Sequence, residues 1–169
     1  MGHIHDVNVK RLNALFEKDE SAYKTVDLDE DLIRALKQKN KGNRLFFKDG
    51  VSEDYVDTTV EKETFESFEE AYHQLIIDLS DLTEESIDLI IGKEDQTTDM
   101  YISGGFSKNP IFLKMMASRF PEKRLFTSEV ANATSMGAAL VLWKGIDANF
   151  NPAINLGLKS FKGDPSLVG

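Results

Sequence analysis

The residues best suited to chemistry lie in the stretch "ISGGFSKNP", residues 102–110. A short apolar run ends there in Gly104 and Gly105, and Asn109 and a proline follow. Glycines let the backbone approach a ligand closely, because they lack a Cβ and accept positive φ. Asn-Pro is typical of a helix start, where unpaired N–H groups and the positive end of the dipole favour an anion. The pattern suits a phosphate or a ribose, and the alternative is that the glycines only form a tight connection.

A second candidate loop follows the next predicted strand, in "TSEVANATSMGAA" at 127–139. Residues 99–146 alternate between strand and helix patterns, which predicts a parallel α/β sheet. Ligands of open α/β sheets bind beyond the carboxyl ends of the strands. The two loops, 103–109 and 128–135, are therefore expected to lie side by side and to leave a slot for a flat base. The small residues of the second loop could equally serve close helix packing.

Together these loops carry a resemblance to a known family. The stretch "MYISGGFSKNPIFLKMMASRFPEKRLFTSEVANATSMGAALV" resembles the adenosine-binding segment of the FGGY family of carbohydrate kinases, in the actin and hexokinase superfamily. The matching features are Gly104-Gly105, Asn109, the strand near Leu125, and the Glu-x-x-Ala-x-x-Gly-Ala-Ala-like run from Glu129. The resemblance spans about 45 residues and implies ATP or ADP as a ligand.

The resemblance also implies roles for individual residues. Gly105 is expected to lie against the α-phosphate or ribose in a positive-φ conformation, and Asn109 to reach the base or sugar. Phe106 departs from the small residue usual in the family, and it is expected to reshape the turn or stack near the base. The expected nucleotide-binding residues are Gly104, Gly105, Phe106, Ser107, Asn109, Asn132, Ser135 and Met136.

Most of the kinase machinery finds no match in this chain. Family members are roughly three times longer, and no position matches their catalytic aspartate or phosphate loops. We therefore assign no catalytic and no metal-ligating residue, and we expect Mg²⁺ and the sugar substrate to bind only in a complete enzyme with its N-terminal lobe. The chain resembles the last third of such a kinase, and the isolated chain is expected to be inactive.

The expected fold is an incomplete ribonuclease H-like (actin-like ATPase) α/β lobe, with parallel strands 99–103 and 124–127 packed by helices. Such a sheet would have an unpaired edge, which a second copy of the chain or residues 43–60 could cover. The expected organisation is a lead-in segment over 1–61, the adenosine-binding segment over 62–147 and a C-terminal tail over 148–169.

Apolar spacing predicts helices near 6–16, 27–42 and 64–79, and Thr83 is predicted to begin either a continuation of the third helix or a further helix. The Asp49-Gly50 pair predicts a turn between two extended segments, and the tail is predicted to be irregular. His73 is predicted to be a packing or surface residue. His3 and His5, near a chain end without a third ligand, are assigned no role.

Composition excludes several classes of protein. The chain has 169 residues, 41% of them hydrophobic, which predicts one domain. A formal charge of −9 without a basic run argues against nucleic acid and anionic membranes as partners. The chain has no cysteine and no apolar run long enough for a bilayer span, which favours a cytoplasmic protein.

These observations favour the nucleotide-binding portion of an ATP-dependent sugar kinase. Two alternatives remain open at this point. The chain could be a non-catalytic module that responds to adenine nucleotide, or an acidic protein-interaction domain that binds no nucleotide.

Overall fold

The computed structural model describes residues 1–92, 94–128, 133–147 and 156–168. Five α-helices and three strands lie within them. The helices are α1 (Gly2–Leu15), α2 (Glu30–Lys39), α3 (Phe68–Asp88), α4 (Pro110–Arg119) and α5 (Ala133–Ile146), and the strands are β1 (Asp99–Ile102), β2 (Arg124–Ser128) and β3 (Leu158–Phe161).

The sheet has the order β1-β2-β3, with β2 in the centre. The predicted parallel pair is confirmed, because β1 and β2 run parallel with Met100 opposite Leu125. Strand β3 pairs with β2 in the antiparallel sense, so the prediction of a wholly irregular tail is wrong. Its four residues are too few to show a strand pattern in the sequence. Among the described residues, no strand lies on the other side of β1.

Helix α3 is the central element of the core. Its 21 residues begin at the N-cap Ser67, whose hydroxyl accepts a hydrogen bond from the Glu70 amide. Of the two possibilities predicted at Thr83, the continuation is found: Thr83 lies inside α3, and its hydroxyl donates to the Leu79 carbonyl. The helices α1, α2 and α4 pack against α3. The largest side chains buried in this core are Leu12, Ile33, Leu36, Phe46, Tyr72, Leu75, Ile76, Leu79, Ile111, Met115, Met116 and Leu125.

The segment between α2 and α3 contains no strand, so the predicted extended pair around Asp49-Gly50 is wrong. A turn is present there, with the Gly50 amide bonded to the Phe47 carbonyl. The amides of residues 45–47 donate to buried carboxylates instead of a partner strand. Asp78 Oδ2 accepts from the amides of Leu45 (2.9 Å) and Phe46 (2.8 Å).

Helix α5 leaves apolar side chains in solvent. Val141, Leu142, Trp143 and Ile146 are between 53% and 83% exposed. An apolar helix is normally buried, so this surface is unusual for a folded domain. No helix within the described ranges is both long enough and apolar enough to span a bilayer.

Candidate functional site

The Gly-Gly turn joins β1 to α4 through one left-handed residue. Gly104 has φ 77° and ψ −155°, a conformation that only glycine adopts readily. Residues Gly105–Lys108 then form one 3₁₀ turn, and the Ser107 hydroxyl donates to the Gly104 carbonyl at 2.7 Å. The prediction of positive φ at Gly105 is wrong: the strained conformation falls on Gly104, because the chain reverses before the 3₁₀ turn begins. A Cβ at position 105 would meet no atom within 4 Å.

Asn109 is the N-cap of α4, as its sequence context predicts. Its Oδ1 accepts from the Phe112 amide at 3.0 Å, and Pro110 occupies the first turn. Its Nδ2 donates to the Tyr72 hydroxyl at 2.8 Å. Both ends of the amide are therefore engaged within the protein, and the side chain fixes the turn against α3.

A cavity of about 520 Å³ opens beside this turn. It lies between the start of α1, the 3₁₀ turn Ala22–Thr25, α3 and the residues that lead into α4. This volume falls within the range of small-molecule sites, about 300–1,000 Å³. Four rings line it and contact one another at centroid distances of 5.3 to 6.0 Å, namely His5, Tyr23, Tyr72 and Phe106.

A chain of hydrogen bonds crosses the wall of the cavity. Asn109 donates to the Tyr72 hydroxyl, which is hydrogen-bonded to His5 Nε2 at 3.2 Å, while His5 Nδ1 lies 2.9 Å from Asp6 Oδ1. Burial raises the pKa of Tyr72, so its hydroxyl stays protonated. These hydrogen bonds fix the orientation of the Tyr72 and His5 rings and of the N-cap residue Asn109.

Two lysines supply positive charge to the same cavity. Lys24 and Lys108 both line it and are exposed, and Lys24 Nζ lies 5.8 Å from the centre of the Tyr23 ring. The start of α4 adds the positive end of a helix dipole. The site therefore combines flat apolar walls with two cationic groups against one carboxylate, that of Asp6, which suits an aromatic ligand that carries negative charge.

The structure brings only part of the predicted set together. Gly105, Phe106 and Asn109 line the cavity. Gly104 and Ser107 shape the turn without lining it. Ser135 and Met136 lie on α5 and are not among the residues that line the cavity, and Asn132 lies outside the described residues. Phe106 packs on Phe112 at 4.2 Å and on His5 at 5.3 Å, so it forms a wall.

The sequence reading missed the contribution of α1. His5 was given no role, yet it is 7% exposed and contacts Tyr23, Tyr72 and Phe106. Its spacing of four and seven residues from Val9 and Leu12 placed it on the buried face of α1, which was the available signal. His73, predicted to be a packing or surface residue, is buried. Its Nε2 accepts from the Asp29 amide at the start of α2, and burial lowers its pKa.

Comparison with solved structures shows what larger fold this arrangement belongs to. A carbohydrate kinase from Novosphingobium aromaticivorans matches with a TM-score of 0.58 and 17% sequence identity, over 90% of this chain and 32% of that one. The chain thus has the mixed α/β fold of part of that kinase, consistent with an actin-like lobe, and spans about a third of its length. No protein-family model and no curated protein matches the sequence.

Proposed function

We propose that this chain is the nucleotide-binding, C-terminal portion of an ATP-dependent kinase that phosphorylates a sugar hydroxyl. The observation that carries the proposal is the ring-lined cavity at the carboxyl end of β1, beside a turn whose backbone is open to a ligand at Gly105. The shared fold with part of a carbohydrate kinase supports it. In this proposal the protein is a cytoplasmic enzyme of carbohydrate metabolism with an FGGY-type adenosine site.

Adenine nucleotide is the ligand that these groups suit best. A purine can stack between Tyr23 and Phe106, since both rings line the cavity. Lys24 and Lys108 can then attract the phosphates, and the positive end of the α4 dipole adds to this attraction. Because residues of the sugar-binding lobe and the catalytic aspartate find no match here, we propose that the isolated chain binds nucleotide without turnover.

Phosphoryl transfer in such a kinase also requires Mg²⁺ to neutralise the phosphates. The described residues contain no group of three histidines or carboxylates that could hold a metal ion. We propose that the metal, like the sugar, binds in the complete enzyme.

The test is a titration of the ¹⁵N-labelled chain with ADP. We expect weak binding, in the high micromolar to millimolar range of about −4 to −6 kcal/mol, because only part of the site is present. Amide shifts should concentrate at residues 104–109 and around Tyr23 and Tyr72, which line the cavity. Gly105→Val should abolish binding but not folding, since its side chain would project into open space at the site.

Gly92→Val is the matched control for that variant. Position 92 also has open space for a Cβ, and it does not line the cavity, so ADP affinity should stay within about twofold of wild type. Shifts elsewhere in the chain, or none at several millimolar ADP, would overturn the proposal. An equal loss of ADP affinity in Gly105→Val and Gly92→Val would also overturn it.

The two alternatives make different predictions. A non-catalytic module that responds to nucleotide would bind ADP here and remain inactive even when joined to a complete sugar-binding lobe. An acidic interaction domain would bind no ADP at all. The ring-lined cavity argues against the second alternative, because a purely protein-binding surface has no need of it.

We also propose that the chain pairs with a second copy through the edge of its sheet. Strand β1 pairs only with β2 among the described strands, and Tyr101 on it is 62% exposed. Light scattering during size exclusion should therefore give a mass that rises with protein concentration. A monomer at every concentration from micromolar to millimolar would contradict this proposal.

A further inference from the structure

A second, larger cleft lies away from the ring-lined cavity and shares no lining residue with it. We call it the basic cleft. It has a volume of about 1240 Å³ and lies between the C-terminal half of α2, the segment 41–48, the part of α3 from Asp81 to Glu85, the end of α4 and residues 166–168.

The basic cleft carries a positive charge, whereas the chain as a whole is acidic. The whole chain carries a formal charge of −9, but six basic side chains line this cleft against three carboxylates. The carboxylates are Asp81, Glu84 and Glu85. The basic residues are Arg34, Lys37, Lys41, Arg44, Lys48 and Arg119. Such segregation concentrates positive potential in a concave surface and attracts anions.

The carboxylates of the cleft form ion pairs with its arginines. Arg119 pairs with Asp81 and Glu84, and Arg44 pairs with Glu85 at 2.9 Å. Arg34 pairs with acids outside the cleft: Glu30, Asp31 and Asp164. Among the described residues, Lys37, Lys41 and Lys48 have no carboxylate partner. These three lysines therefore lie outside the ion pairs of the described residues, although Glu84 is near enough to Lys37 to affect its pKa.

Lys37 is the least ordinary of the three. Its side chain is half-buried, and within the described residues its ammonium group makes one hydrogen bond, a long contact of 3.4 Å to the Val168 carbonyl. Burial lowers its pKa and the charge of Arg119 lowers it further, while the carboxylates of Glu84 and Asp78 oppose this shift without cancelling it. A half-buried ammonium group beside a second cation is costly unless an anion neutralises it. Lysines at the end of α2 also complement the helix dipole, but that role does not require burial.

We propose that the basic cleft binds a small anion that carries at least two phosphate groups. Lysine ammonium groups act as point charges suited to phosphate, and the arginine forks are already occupied. The cleft is a bounded concavity within an acidic surface, which would repel a nucleic acid but admit a small molecule. Because it shares no residue with the ring-lined cavity, its ligand would act on the protein from a separate site.

The test uses inorganic pyrophosphate as the probe. In a ¹⁵N titration of the full chain at low ionic strength, amide shifts should concentrate at residues 37–48 and 166–168. Pyrophosphate should also raise the urea midpoint of the chain, because a ligand of the folded state stabilises it. Gly105→Val should leave this response unchanged, which separates the basic cleft from the nucleotide site.

The decisive variant is the double substitution Lys37→Gln and Lys41→Gln. It should weaken pyrophosphate binding at least about tenfold, and folding should not suffer, since Lys37 makes no ion pair with the part of the chain that the structure describes. Lys10→Gln is the control: it removes one exposed lysine from α1, outside the cleft, and should change affinity less than about twofold.

Three results would overturn the proposal. The first is an absence of shifts at 37–48 with several millimolar pyrophosphate. The second is an equal loss of affinity in Lys10→Gln, which would show a response to net charge alone. The third is tighter binding of a short RNA than of pyrophosphate at the same residues, which would assign the cleft to a nucleic acid.

Discussion

Asp78→Ala should lower the free energy of unfolding by about 3–5 kcal/mol, the largest effect that we expect from one side chain. Asp78 is completely buried on α3. Its carboxylate accepts from the amides of Leu45 and Phe46 and from Gln74 Nε2 at 2.7 Å. Alanine would leave these three donors without this partner; Phe46 and Gln74 are buried, and a buried donor left unpaired costs about 1–3 kcal/mol. Urea unfolding followed by far-UV circular dichroism would measure the loss.

Asp54→Ala is the matched control for this substitution. Asp54 also accepts from a backbone amide, that of Val56 at 3.3 Å, but it is exposed, and water can replace it. Its loss should cost less than about 1 kcal/mol. A deficit of Asp78→Ala that is no larger than that of Asp54→Ala would contradict the role that we assign to Asp78.

The ionisation of Asp78 should also make stability depend on pH. Burial raises its pKa from 3.8 to about 7 in the folded chain, so the folded state holds this proton more tightly than the unfolded state. The resulting stability is complete below pH 4 and is lost as pH rises through 7. Between pH 6 and pH 8, the wild type should lose about 1.4 kcal/mol relative to Asp78→Asn, which cannot ionise. If the free energy of unfolding changes with pH equally in the two proteins, Asp78 does not titrate in this range.

Arg119→Met should lower the free energy of unfolding by about 2–4 kcal/mol. The Arg119 side chain is only 5% exposed and holds Asp81 and Glu84 together at the end of α4. Burial lowers its pKa to about 10, so Arg119 is still charged at neutral pH. Its replacement by methionine leaves the two carboxylates without their ion-pair partner. The pKa of Glu84 is already raised by burial and by Asp88. The same urea experiment would measure the effect.

Arg44→Met provides the comparison for Arg119. Arg44 pairs with Glu85, which is 62% exposed, and water can solvate that carboxylate when its partner is lost. We therefore expect a cost below about 1 kcal/mol. Equal losses in the two variants would mean that packing of the long side chain, and not the buried charge, accounts for the effect of Arg119→Met.

The elements that sequence reasoning predicted well are those with local signals. The apolar stripe of α3 repeats over many turns, and the cap of α4 depends on Asn109 and its immediate neighbours. The parallel pairing of β1 and β2 follows from the alternation of strands with helices. In each case the determining residues are close together in sequence, so a pattern can reveal them.

The errors fall where distant residues decide the structure. The amides of Leu45 and Phe46 do not pair with a strand because Asp78, more than thirty residues away, accepts from both. His5 forms part of the candidate site because it meets Tyr72, 67 residues further along. The basic cleft likewise needs Arg119 and the acids of α3 to meet the end of α2. No pattern of neighbouring residues in the sequence predicts these long-range contacts.

The exposed apolar surface of α5 also has a spectroscopic consequence. Trp143 is the single tryptophan of the chain, and it is 53% exposed on that helix and not in the core around α3. Its fluorescence emission will therefore report the surroundings of α5, whereas ellipticity reports all the helices together. If the emission shifts at lower urea than the ellipticity falls, α5 loosens before the core. A blue shift with rising protein concentration would instead show that α5 becomes covered.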